Sequence, residues 1–335
     1  MNKNTKIKVI FTGGTIGSII KDGWISTDEQ TGWLLLSKYR EYTKDTQTDF
    51  VTETPYTVLS ENLSAKELNL LAKCVNKNLE EDYDGIIVTH GSDTLQYTAA
   101  ALSFMFDNAK IPVVLVSSNY PLEMERANGT ENFTAAVEFI KAEAGKGVFV
   151  SYKNQEDDRV CIHRGTRVTA HREASDDVYS IDRKPYAFFD GKIKINEKYT
   201  PGETGVATGV TEFSDYPDIL VIESRPGDRY SYSLENCKAV ILAPYHSATL
   251  NTQNQKLVEF CESAYKNNIP VFLVNANGGT GYESEQAFDK MHLEILPLCS
   301  KIAVYVKCWM AISLDRDIRE FVNTPVSQEF CGGDI

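Results

Sequence analysis

The sequence has no long apolar stretch, and nothing in it approaches the roughly 20 apolar residues that a membrane-spanning helix needs. Its N-terminal segment, Met1 to Lys8, is charged, and the apolar run that follows, Val9 to Phe11, is too short for a secretory leader. The seven cysteines are odd in number and scattered, without a CxxC pair. This pattern argues against disulfides and zinc ligands and predicts reduced, mostly buried thiols in a cytoplasmic protein.

Basic residues are also scarce relative to acidic ones. Lys and Arg number 34 against 47 Asp and Glu, for a formal net charge of −13. Nucleic acid and anionic membranes attract basic surfaces, so this balance argues against both as partners. We expect a small-molecule substrate and other subunits instead. The histidines show neither HxxxH nor HExxH spacing, so we expect no metal and no other cofactor.

Short β-branched runs alternate with longer helical patterns. The alternation predicts a doubly wound α/β sheet, and the better strands are apolar on both faces, as in parallel sheets. The predicted strands are Lys8–Thr12, Thr57–Leu59, Gly85–Thr89, Pro112–Ser117 and Val148–Tyr152. Capping signals predict helices from Ser64 to about Leu79, from Asp93 or Thr94 to about Phe106, and from Thr130 to near Ala144.

A polar segment rich in Gly and Pro begins near Lys192 and predicts a linker. We therefore expect an N-terminal domain over 1–190, a linker over 191–212 and a smaller α/β domain over 213–335. The strands predicted for the second domain are Asp218–Glu223, Ala239–Ala243, Pro270–Asn275 and Lys301–Val306, and Gln253–Asn268 is a predicted helix.

Three loops rich in hydroxyl side chains and glycine follow predicted strands, where ligands bind in open parallel sheets. They are Thr12–Ser18 in "FTGGTIGS", Ser60–Glu61–Asn62, and His90–Thr94. The first lacks the GxGxxG and Lys-Ser/Thr patterns of phosphate-binding loops. Taken singly, such residues are ordinary helix caps. Together they favour a nucleophilic hydroxyl beside helix N-terminal amides that stabilise an oxyanion.

His90 invites a Ser-His-Asp reading, but it immediately precedes Gly91 in a tight turn. A buried, hydrogen-bonded histidine is the favoured interpretation.

The motifs "TGGTIGS", "YDGIIVTHGSDTLQYTAAALSFMF" and "ANGTENFTAAV" resemble the bacterial-type L-asparaginase family, closest to its cytoplasmic type I branch. The resemblance runs in order from residue 7 to about 170 and is weak beyond. It implies a larger flavodoxin-like N-terminal domain, a smaller C-terminal α/β domain, and homodimers or homotetramers with sites at subunit contacts.

The resemblance also implies a covalent amide hydrolysis with Thr12 as the nucleophile. Asp93 matches the residue that pairs with the substrate ammonium group, and Ser60 matches the one that holds its carboxylate. Ser92 corresponds to the threonine of the family's proton-transfer cluster. Gly91 lies between these motif residues and is expected to line the substrate site. The loop from Ser18 to Gly32 would close over the substrate.

The sequence departs from the family pattern at several of these positions. Ser92 replaces a threonine, and Trp24 stands where the loop tyrosine is expected. We therefore expect Trp24 and Glu61 to contact substrate, although an indole cannot relay a proton. Glu61 and Asn62 replace a neutral residue and an aspartate. In the C-terminal part, Tyr245–Thr249 replaces a Gly-rich, Asn-containing loop, and Glu283 and Glu285 are interpreted as solvated carboxylates rather than acidic residues lent to a neighbouring subunit.

The largest departure is in "RGTRVTA", where Ala170 stands in place of the catalytic lysine. His171 or Arg172 are the nearby substitutes, although a guanidinium cannot act as a base. Three hypotheses therefore stay open. The first is an amidohydrolase acting on asparagine or a related amide, and the second is an amidohydrolase with a changed substrate, such as a modified amide or a peptide. In the second, Glu61 repels the α-carboxylate of free asparagine or pairs with a cationic group of the true substrate. The third is a catalytically weak binding protein.

Overall fold

The computed structural model describes residues 4–21, 24–27, 31–172, 174–202, 205–275 and 281–325. Its strands are β1 Thr5–Phe11, β2 Ser18–Lys21, β3 Trp24–Thr27, β4 Thr48–Glu53, β5 Gly85–Thr89, β6 Pro112–Val116, β7 Gly147–Tyr152, β8 Val160–Arg164, β9 Ala187–Phe189, β10 Ile193–Ile195, β11 Ile219–Glu223, β12 Ala239–Ala243, β13 Val271–Leu273 and β14 Glu294–Ile295. Its helices are α1 Thr31–Thr43, α2 Ala65–Leu79, α3 Leu95–Phe106, α4 Gly129–Lys141, α5 Gln255–Lys266, α6 Lys301–Ser313 and α7 Ile318–Asn323.

The first sheet has eight strands in the order β10-β9-β8-β7-β6-β5-β1-β4. The five strands β4, β1, β5, β6 and β7 are parallel to one another. The strands β8, β9 and β10 extend the sheet beyond β7, and each pairs antiparallel with its neighbour. Counted along the chain, the parallel strands have the 2-1-3-4-5 order of flavodoxin-like folds, so the switch point lies between β1 and β5. Phe11 pairs with Thr89, so these two strands end at the same level.

Helices cover both faces of this sheet. One face packs against α1 and α4, and the other packs against α2 and α3. The second sheet is parallel throughout, in the order β11-β12-β13-β14, and α5 covers its outer face. Helix α6 lies between the two units, against α3 on one side and β12 on the other. The two units therefore share one continuous apolar core.

The doubly wound fold with a smaller second α/β unit is the predicted one. Of the predicted strands, Thr57–Leu59 is wrong, since only Val58 makes a single bridge, to Gly13. The edge strand β4 escaped the sequence analysis because four of its six residues are polar and only its first is buried. The predicted linker begins with the short strand β10, which pairs with β9 at the edge of the first sheet.

The prediction of a strand at Lys301–Val306 is also wrong, because these residues form the first half of α6. The helix is apolar on most sides because it is buried between two units, so it lacks a clear amphipathic period. Its less buried residues, Lys301, Tyr305 and Trp309, recur every fourth position. That spacing is the helical signal in the sequence.

The predicted closing loop, Ser18 to Gly32, contains the antiparallel pair β2 and β3. Residues 22, 23 and 28–30 of this loop lie outside the described residues. Six of the seven cysteines are described, and five of these six are buried. Among the described residues, every helix is too short or too polar to cross a membrane.

Candidate active site

Thr12 follows β1 directly and is buried where β1 and β5 end side by side. Its hydroxyl donates a 2.6 Å hydrogen bond to the carbonyl oxygen of Thr89. Gly13 has a φ of 98°, and Gly14, with φ 72° and ψ −176°, adopts a conformation essentially restricted to glycine. The glycines therefore allow the sharp turn that holds the Thr12 hydroxyl at the sheet edge.

The segment before Ser60 runs beside this turn. The Val58 N–H donates to the Thr12 carbonyl and the Gly14 N–H donates to the Val58 carbonyl, both at 3.0 Å. The chain then enters the short helical turn Ser60–Asn62. Ser60 is buried, and its hydroxyl donates a long, 3.4 Å hydrogen bond to Oδ2 of Asp93. These hydrogen bonds place the loop that contains Ser60 and the loop that contains Asp93 next to the turn at Thr12.

The three loops interlock through glycine. A Cβ atom on Gly14 would lie 2.2 Å from the backbone nitrogen of Gly91, and a Cβ atom on Gly91 would lie 2.3 Å from Ser60 Oγ. Both distances are far below any real contact of a Cβ atom, so a side chain on Gly14 would clash with the Gly91 backbone and one on Gly91 would clash with the Ser60 side chain. Gly91, which we expected to line the substrate site, lies at the centre of this junction.

His90 is a buried structural residue, as the sequence analysis favoured. Its Nδ1 lies 2.8 Å from the Gly91 carbonyl and its Nε2 lies 2.9 Å from the Thr98 hydroxyl. Donation from Nδ1 and acceptance at Nε2 satisfy the neutral ring. Burial lowers the pKa of His90 to about 4, against a smaller opposing effect of the Gly91 carbonyl. The neutral ring anchors the loop to α3 and is not oriented toward Thr12 as a base.

Ser92 and Asp93 lie at the rim of the site. Ser92 is half-buried and Asp93 is exposed. The Asp93 carbonyl accepts a 3.0 Å hydrogen bond from Gln96 Nε2, and α3 begins two residues later. The positive end of the α3 dipole therefore lies beside the rim, where it stabilises negative charge. An exposed carboxylate in this place is accessible to a cationic group of a ligand.

Trp24 and Glu61 are exposed. Trp24 is 78% exposed, so its ring does not cover the Thr12 hydroxyl in this structure. Glu61 projects from the turn that contains Ser60. Trp24 and Glu61 are thus separate from the buried hydroxyl groups of Thr12 and Ser60. Glu61 is a second exposed carboxylate near the rim at which Asp93 lies.

His171 and Arg172, which follow Ala170 in the chain, make different contacts in the structure. His171 Nε2 lies 2.9 Å from the Ser92 carbonyl, and its Nδ1 lies 3.0 Å from the Asp177 carbonyl. Arg172 instead stacks on the ring of Tyr179, 4.9 Å from its centroid. His171 is therefore the one of the two proposed substitutes that reaches the candidate site, and it contacts backbone there.

Tyr56 is a site neighbour that the sequence analysis missed. Its hydroxyl is buried against the Thr12 side chain, yet it makes no well-formed hydrogen bond to any described group. Burial raises the pKa of this phenol, and the Thr12 hydroxyl opposes that effect. The only signal in the sequence was an aromatic hydroxyl four residues before Ser60, outside every motif.

The carboxyl edge of the second sheet faces the same region. A cavity of about 390 Å³ lies between Thr169–His171 and the loops after β12 and β13. The residues Tyr245–Thr249 form a tight turn closed by a 3.0 Å backbone hydrogen bond. Glu283 is exposed, and Glu285 accepts a 3.0 Å hydrogen bond from the Tyr282 N–H, so it caps its own helical turn.

No group of three or more His, Cys, Asp or Glu side chains within the described part of the chain is arranged to hold a metal ion. What these residues can offer chemically is a hydroxyl nucleophile, a carboxylate rim and a helix N-terminus.

The profile described as "Asparaginase, N-terminal" matches residues 6–201, which is more than half of the chain and contains Thr12, Ser60 and Asp93. Among curated relatives, a glutamyl-tRNA(Gln) amidotransferase subunit of Methanosarcina mazei is 33% identical over 201 residues, covering 58% of this chain and 46% of the relative. The chain spans about half the length of the first such relatives it matches.

Two solved structures have the same fold along nearly the whole chain. The thermostable L-asparaginase from Thermococcus kodakarensis superposes with a TM-score of 0.81 at 23% identity, covering 98% of this chain and 100% of the other. The L-asparaginase I of Vibrio cholerae gives a TM-score of 0.77 at 22% identity, with coverages of 96% and 98%.

Proposed function

We propose that this chain, which belongs to the asparaginase family, is an amidohydrolase that cleaves the side-chain amide of asparagine or a related amino-acid amide. One observation carries the proposal: the Thr12 hydroxyl is fixed at the switch point of the first sheet, with Ser60 and Asp93 on the adjoining loops. Switch points are where open α/β sheets bind ligands.

In the proposed reaction, Thr12 Oγ1 attacks the amide carbonyl carbon and loses its proton. The carbon–nitrogen bond breaks, ammonia leaves with that proton, and an acyl-enzyme remains for water to hydrolyse. The 2.6 Å hydrogen bond to the Thr89 carbonyl orients the Thr12 hydroxyl before attack. The N-terminus of α3 stabilises the negative charge that develops on the carbonyl oxygen.

Substrate binding rests on the rim. Asp93 is exposed beside the helix terminus and pairs with the α-ammonium group, while the Ser60 hydroxyl binds the α-carboxylate. Glu61 is a second carboxylate next to Ser60, and it favours a related amide that carries an additional cationic group over free asparagine. The proposal includes the homodimer or homotetramer and the cytoplasmic setting that the family resemblance implies.

The test is ammonia release from L-asparagine, D-asparagine, L-glutamine and asparagine amides with an added cationic group, compared between wild type and Thr12→Ala. Thr52→Ala, an exposed threonine on β4, is the matched control. We expect turnover that persists in Thr52→Ala and disappears in Thr12→Ala. Equal turnover in wild type and Thr12→Ala contradicts the proposed nucleophile. A wild type that releases ammonia from none of these amides favours a binding protein.

A second candidate is an amidotransferase component that supplies ammonia to a partner. The name of the relatives at 33% identity favours it. The net charge of −13 argues that this chain would not bind the nucleic acid itself. Ammonia release that is weak for the isolated chain and rises several-fold on adding a co-purified partner would favour this candidate over a free-standing hydrolase.

A further inference from the structure

Tyr56 combines two features that rarely occur together. Its hydroxyl is buried and has no well-formed hydrogen bond in the described structure. Tyr56 also lies two residues before Val58, whose N–H donates a 3.0 Å hydrogen bond to the Thr12 carbonyl, so this segment runs beside the proposed nucleophile, and the phenol neighbours the Thr12 hydroxyl. Leaving a buried hydroxyl unpaired destabilises the folded protein, because the group loses its hydrogen bonds to water. An unpaired group of this kind is an exception that calls for a reason, and a catalytic role is one of the known reasons.

We propose that Tyr56 is a catalytic residue that relays the proton of Thr12 to the departing amide nitrogen. This inference rests on the proposed function and adds a group to it that lies outside the motifs of the sequence. The Thr12 hydroxyl already donates to the Thr89 carbonyl. The Tyr56 hydroxyl, by contrast, is free to accept one proton and donate another.

The proton balance requires a neutral phenol throughout. As Thr12 Oγ1 bonds to the carbonyl carbon, its proton passes to the Tyr56 oxygen, and the original phenol proton passes to the amide nitrogen as the carbon–nitrogen bond breaks. Tyr56 therefore ends the step as it began, and no phenolate accumulates. This suits its site, because burial disfavours the charged form and raises the pKa of Tyr56.

The other groups of the described site are less suited to the transfer. Both nitrogens of His90 are already engaged with Gly91 and Thr98. His171 contacts the carbonyls of Ser92 and Asp177. Ala170 offers no titratable group, and the Trp24 ring is exposed. Within these residues, the Tyr56 hydroxyl is the one that lies against Thr12 with both donor and acceptor capacity.

The experiment compares Tyr56→Phe with Tyr152→Phe. Tyr152, in β7, also has a buried hydroxyl without a hydrogen bond, and burial likewise raises its pKa, but its polar neighbour is Asn128. Each variant removes one buried hydroxyl oxygen that has no hydrogen bond. Because no hydrogen bond is lost, both variants should unfold at or above the wild-type temperature. We expect Tyr56→Phe to lower kcat on the order of 10²-fold with KM nearly unchanged. Tyr152→Phe should keep the wild-type kcat.

A second measurement follows covalent labelling of Thr12 by a diazoketone analogue of asparagine, read by intact mass. Labelling needs the same proton delivery, so Tyr56→Phe should slow it and Tyr152→Phe should not. Turnover or labelling that depends on Thr12 but is equal in wild type and Tyr56→Phe overturns the relay alone. A wild type that neither turns over nor is labelled overturns the proposed function and the relay with it. A Tyr56→Phe midpoint more than about 4 °C below wild type assigns the hydroxyl a structural role and also overturns the relay.

Discussion

At the carboxyl edge of the first sheet, the chain leaves β1 toward β4 on one side and returns at β5 on the other, whereas the strands of the second sheet follow one another in chain order. Where β1 and β5 diverge, the three loops meet and the Thr12 hydroxyl is held by its hydrogen bond to the Thr89 carbonyl. The second edge has no such divergence, and its turn at Tyr245–Thr249 closes on itself. Because ligands of open α/β sheets bind where the strand order reverses, we propose the site at the first edge and not at the second.

The largest difference between the two edges is expected at the junction of Gly14 and Gly91. Gly14→Ala places a methyl group 2.2 Å from a backbone atom in a conformation restricted to glycine, so we expect a loss of about 3 to 5 kcal/mol in unfolding free energy. Gly227→Ala in the second unit also has positive φ but nothing within 4 Å, and should lose only about 1 to 2 kcal/mol. Urea unfolding measures both. Equal losses would mean that the loops do not interlock.

The carboxylates of the two edges should differ in function. Asp93→Asn removes the proposed partner of the substrate ammonium group, and we expect kcat/KM to fall about 10- to 150-fold, mainly through KM. Glu223→Gln at the second edge removes an ion pair with Lys301 and should leave kcat/KM within about twofold, since exposed pairs contribute little. Steady-state kinetics on the same amide decide this. A larger effect of Glu223→Gln would move the site to the second edge.

His171 and Arg172 test how the junction of the two edges supports the site. His171→Ala removes the contact with the Ser92 carbonyl, so we expect kcat/KM to fall about 5- to 10-fold from a loss near 1 kcal/mol. Arg172→Ala should change it less than about twofold, because Arg172 stacks on Tyr179 instead. Reversed effects would contradict a supporting role of the contact between His171 and the Ser92 carbonyl.

Acid should weaken the first unit through a buried neutral histidine. Burial lowers the pKa of His163 to about 3, below the value of about 6.5 expected when unfolded. The unfolded chain therefore binds a proton that the folded one does not. This part of the stability is present above about pH 6.5 and is lost as pH falls toward 3, at about 1.4 kcal/mol per pH unit.

His163→Gln should reduce that slope. Cys161→Ala, in the same strand, should lower stability by a similar amount at every pH in this range and leave the slope unchanged, because the Cys161 thiol does not titrate there. Unfolding free energies measured between pH 7 and pH 4 give both slopes. An unchanged slope in His163→Gln would contradict a neutral buried His163.

The predictable elements were those whose signals are local. The buried run Gly85–Thr89 became β5 with the predicted bounds, and the capping box at Ser64 and Glu67 begins α2. The errors occurred in segments whose burial depends on their contacts with other parts of the protein. Helix α6 was predicted to contain a strand because two units bury most of its surface, and β4 was not predicted because an edge strand needs little apolar surface.

The sequence by itself determined the α/β class, the glycine turn after β1, and the three loops that carry hydroxyl and carboxylate groups, two of which follow strands. Alternation, caps and turns are local properties of the chain. Only the tertiary structure decided that Tyr56 lies against Thr12, that His171 rather than Arg172 reaches the site, and that Gly14, Gly91 and Ser60 interlock. Those contacts join residues far apart in the chain, and the order of the strands, which no local signal records, brings them together.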